Sequence, residues 1–109
     1  MARPVPSDYP VFYETYIKLV SEEDLVQTMR LSLEEIVDFL EGIAPDKAEY
    51  RYAEGKWSVK ELLQHIIDTE RIFSYRGLCF ARGEQQSLPG FDENAYARHA
   101  DVSGKTLKE

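Results

Sequence analysis

Apolar residues recur every three or four positions through two long stretches of this chain. Leu25, Met29, Leu33, Ile36, Val37, Leu40 and Ile43 share one side of a helix. Further on, Leu62, Ile66, Phe73 and Phe80, flanked by Leu63, Ile67 and Ala81, form an apolar arc about 140° wide at 100° per residue. A shorter aromatic stretch places Phe12, Tyr13, Tyr16, Ile17 and Val20 at the same spacing. The pattern predicts helices over about 11–20, 21–43 and 58–82.

Punctuation between these stretches supports the same boundaries. Pro4, Pro6 and Pro10 make the first ten residues an extended lead-in. Ser21, followed by Glu22, Glu23 and Asp24, offers a capping hydroxyl and acids for the positive end of a helix dipole, and Pro45 stops that helix. Ser58 and Glu61 have the S-x-x-E spacing of a capping box, with Trp57 and Leu62 at the two positions of a hydrophobic staple. Arg82 and Gly83 supply a basic last turn and a glycine stop. Residues 83–105 read as irregular, with a turn at Pro89 and Gly90 and at most one helical turn around Glu93–Arg98. Thr106 and Glu109 then repeat the helix-start spacing.

Two long helices cannot enclose a core, because each leaves half its apolar stripe wet. The expectation is therefore an all-α, partial domain over 1–109, with two long antiparallel helices and a short N-terminal one. Either the chain is a fragment of a longer protein or a second copy completes its bundle.

Composition narrows the function. With 43% hydrophobic and 30% charged residues the chain has the balance of a globular domain. A formal charge of -7 argues against binding nucleic acid or an anionic bilayer through bulk electrostatics. No run approaches a membrane span, and MARPVPSDYP lacks the apolar core of a signal peptide. The single cysteine, Cys79, cannot form an internal disulfide, which points to the reducing cytoplasm. Dinucleotide-binding, P-loop, nucleophile-elbow and C-x-x-C motifs do not occur.

Candidate chemistry gathers on the 58–82 helix. Glu70 falls inside the apolar arc, while His65, Thr69 and Arg76 line one flank. A carboxylate on a packing face needs a partner, so Glu70 is either paired with a base on a neighbouring helix or contacts a ligand. His65 is either a hydrogen-bonded imidazole at the core edge or a metal ligand, and one histidine makes no zinc site, which usually needs three protein ligands. Arg76 pairs with an acid or binds an anion in a cavity. Cys79 reads as packing, and His99, among acidic neighbours in the tail, as a solvated loop histidine.

The segment KWSVKELLQHIIDTERIFSYRGLCFARG, followed by LPGFDENAYA, resembles the DinB-like superfamily of four-helix bundles, with Tyr52–Tyr96 the most specific part. That group includes bacillithiol transferases and the maleylpyruvate isomerase type. The resemblance implies an up-down-down-up bundle and a divalent metal, nickel or zinc, held by three histidines. The first of these lies in a W-S-x-x-E-x-x-x-H context, which here is His65. The other two form an H-x-x-x-H pair that this sequence lacks, and Glu70 and Arg76 correspond to cavity lining. Three functions follow as expectations: a metal-dependent transferase or hydrolase acting on a small-molecule substrate, a non-catalytic small-molecule-binding bundle, and an assembly module that dimerises through its helical stripes.

Overall fold

The computed structural model describes residues 3–20 and 24–109, which fall into two compact units, residues 1–43 and 44–109. Among the described residues every regular element is helical. In the first unit, a 3-10 turn at Val11–Tyr13 runs into a single turn of α-helix, α1 (Glu14–Ile17). Helix 11–20 of the sequence expectation is thus shorter and half 3-10 in character. Its residues are held locally: Tyr9 donates its hydroxyl to Glu14 at 2.5 Å, Lys18 pairs with Glu14 at 3.1 Å, and Arg3 reaches the Ile17 carbonyl at 2.6 Å. The Phe12 ring meets Tyr13 edge-on at 5.3 Å and Tyr16 at 5.7 Å.

The second helix, α2, spans Leu25–Glu41. The cap expected at Ser21 lies outside the described residues. Asp24 is the N-cap that the structure places, its carboxylate accepting from the backbone N–H groups of Val26 at 2.9 Å and Gln27 at 3.0 Å. The helix closes at Gly42, three residues before Pro45.

The second unit is organised around the start of the long helix α3 (Val59–Ala81). A helix begins with N–H groups that have no partner inside it, and here each first-turn donor is matched. Val59 donates to the Tyr50 carbonyl at 3.1 Å and Lys60 to that of Ala48 at 3.2 Å, so the linker after the 3-10 turn Pro45–Lys47 docks on the helix end. The N–H of Glu61 goes to the Ser58 hydroxyl at 3.3 Å, and the Ser58 N–H returns to the Glu61 carboxylate at 2.6 Å. That is the capping box the spacing predicts. Arg51 extends it with a 2.6 Å ion pair to Glu61.

Burial follows this junction. Ser58, Lys60 and Val102 are the buried residues there, and the Lys60 ammonium pairs with Glu49 and donates to the Ser103 carbonyl at 3.4 Å. One lysine thereby joins the linker, the helix and the tail. At the other end of α3, the N–H of Gly83 reaches the Phe80 carbonyl at 3.1 Å and that of Glu84 the Cys79 carbonyl at 3.0 Å, a Schellman closure that requires the φ of +75° at Gly83.

The stretch after Gly83 holds more order than its composition suggests. α4 (Glu93–His99) is a seven-residue helix capped by Asp92, which accepts from Asn94 at 2.9 Å and Ala95 at 3.0 Å. It packs along α3, and Phe91 lies 5.2 Å from the Tyr96 ring. Asp92 is a good N-cap, but a loop that begins Pro-Gly masks the signal.

Candidate functional site

His65 sits two turns into α3, half-buried. The capping box sets the direction of the chain before it and brings the Trp57 indole to 4.9 Å from the imidazole centre, tilted by 47°. Trp57, expected to staple against Leu62, thus lays its ring beside His65. The Nε2 of His65 lies 3.5 Å from the Thr69 hydroxyl one turn on, at the outer limit of a hydrogen bond. The imidazole is positioned by its ring face more than by its nitrogens.

Glu70 and Arg76 do not join it. The Glu70 carboxylate is exposed and accepts from the Ser74 hydroxyl at 2.8 Å, so a residue of its own helix, not a base from another, is its partner. Arg76 donates to the Pro89 carbonyl at 2.8 Å, with its guanidinium 5.9 Å from the centre of the Phe73 ring. It ties the Pro-Gly loop back to α3. Glu70 meets neither Arg76 nor His65 through a hydrogen bond or ion pair among the described residues.

The metal that the resemblance implies needs about three protein donors in one place. Among the described residues, no three His, Cys, Asp or Glu side chains come together as a metal-binding group. One imidazole beside a threonine hydroxyl does not make a nickel or zinc centre. The described residues of one chain therefore do not fit a complete metal site.

A different face of α3 carries a concavity of this unit. Gln64, Asp68, Tyr96, His99, Asp101 and Lys105 line an open cleft of about 490 Å³ between α3, α4 and the tail. Lys105 donates to the Gln64 carbonyl oxygen at 2.7 Å, and the Gln64 amide donates to Asp68 at 3.0 Å. Asp101 accepts from the hydroxyl and then the backbone N–H of Ser103, which hold its carboxyl below the usual carboxylate range. His99, read from sequence as a loop residue, stands in the last turn of α4 and donates through Nδ1 to the Ala95 carbonyl at 2.7 Å. A carbonyl only accepts, so Nδ1 carries the proton of that contact. Its i+4 spacing from Ala95, after an Asp92 cap, was the signal available in the sequence.

Residues 28–109 match the sequence model of the DinB superfamily. This chain belongs to the DinB superfamily. The matched region holds α3, α4 and the tail, and with them His65, Glu70, Arg76 and the cleft. No curated protein and no solved structure matches the chain. Within this DinB-superfamily chain, no helix among the described residues is long and apolar enough to cross a membrane.

Proposed function

We propose that this chain acts as a metal-dependent transferase or hydrolase of the DinB superfamily, with His65 as one metal ligand. The observation that carries the reading is the state of that imidazole: half-buried, braced by Trp57 at 4.9 Å, and with Nε2 held only by a 3.5 Å contact to Thr69. A ligand needs an oriented ring and an available nitrogen, and His65 offers both. Nickel or zinc is the proposed metal. The other ligands come from outside this set of residues, in our reading from a second copy of the chain, which also places the protein among homo-oligomers. Glu70 and Arg76 are the proposed contacts for a small-molecule substrate, each giving up a local partner to take it. The single cysteine supports a reducing, cytoplasmic setting.

Elemental analysis of the purified protein after nickel or zinc loading and desalting tests the reading. The expected result is retained metal in the wild type and its loss in His65→Ala, with the helical circular dichroism signal of both proteins the same. Metal retained equally by His65→Ala removes His65 from the site, and no retained metal in either protein rejects the metal-dependent assignment.

A second reading, a non-catalytic assembly module, rests on the exposed apolar face of α3, where Leu62, Ile66, Phe73 and Phe80 are all solvent-facing. It requires a metal-free oligomer, so the same elemental analysis combined with solution mass separates it from the first.

A further inference from the structure

We draw no further inference here: the strongest candidate, the open cleft between α3, α4 and the tail lined by Gln64, Asp68, Tyr96, His99, Asp101 and Lys105, carries nothing because its carboxylates and ammonium are already engaged by neighbouring Gln64 and Ser103 and, among the described residues, no buried unpartnered polar group is aimed into it to specify a ligand.

Discussion

Ser58 is 1% exposed and works twice, accepting from Glu61 through its hydroxyl and donating to the Glu61 carboxylate through its N–H. Ser58→Ala removes one half of that exchange and leaves the Glu61 N–H without its partner at a buried helix end. A loss of about 1 kcal/mol is expected, read as a drop of about 0.5 M in the urea midpoint for a slope of about 2 kcal/mol/M. The partner residue brings pH dependence. Arg51, and then the Ser58 N–H, hold the Glu61 carboxyl below its ordinary value. A depressed carboxylate contributes stability that is fully present above the unfolded-state value and is lost as pH falls through the folded one. Stability of the wild type should therefore decline on the acid side of the ordinary glutamate range, and Glu61→Gln should flatten that decline while lowering stability at neutral pH. Urea titrations from neutral to acid pH check both. An unchanged acid limb in Glu61→Gln would show that the carboxylate is not what titrates. Gly83, at φ +75°, is the other sensitive position. Nothing stands within 4 Å of an added Cβ there, so the cost of Gly83→Ala, about 1–2 kcal/mol, comes from backbone conformation alone.

Between elements, Lys60 does what no helix propensity predicts. Its ammonium is nearly buried while its partner Glu49 remains largely exposed, and Ser103 supplies a second acceptor from the far side of the sequence. Breaking a pair from its exposed side strands the buried charge, whereas replacing the buried charge with an apolar chain of similar length does not. Glu49→Ala should thus cost on the order of 1 kcal/mol, and Lys60→Met should cost less. The reverse order in denaturant unfolding would mean that Lys60 contributes chiefly through its own hydrogen bond to the tail. Both long helices, the capping box and the glycine stop at Gly83 were legible in the sequence because each depends on residues within one or two turns. α4 was only half legible: Asp92 caps it well, yet its seven residues owe their order to packing on α3. The Lys60 bridge was not legible at all, because a lysine one position inside a helix looks solvated until the tail is known to pass beside it.

At the largest scale, each unit taken by itself leaves an apolar face of its long helix uncovered. Phe73 is 59% and Phe80 71% exposed on α3, and α2 presents Met29 and Leu33 at 64% and 62%. Contiguous apolar surface on a helix is normally closed by a partner. On the proposed assembly, light scattering should return a dimer mass for the wild type, and the double variant Ile66→Glu/Phe73→Glu should return a monomer with its helix content kept. A wild type that runs as a monomer at every concentration tested rejects the self-association reading. The formal charge of -7 adds mutual repulsion, so the dimer should tighten as salt is raised.

Local sequence determined where this DinB-superfamily chain is helical, which face of each long helix is apolar, and how α3 starts and stops. Those properties depend on residue spacing and on backbone groups satisfied within a turn or two. Tertiary structure decided the partners of the polar side chains. On the helical wheel His65 and Arg76 share one flank of α3 and Glu70 falls inside the apolar arc, but in the folded chain His65, Arg76 and Glu70 turn to Trp57, Pro89 and Ser74 respectively. The physical reason is that an exposed or half-buried polar group takes the nearest adequate partner, and proximity on a wheel fixes neither the rotamer nor the loop that returns to meet it.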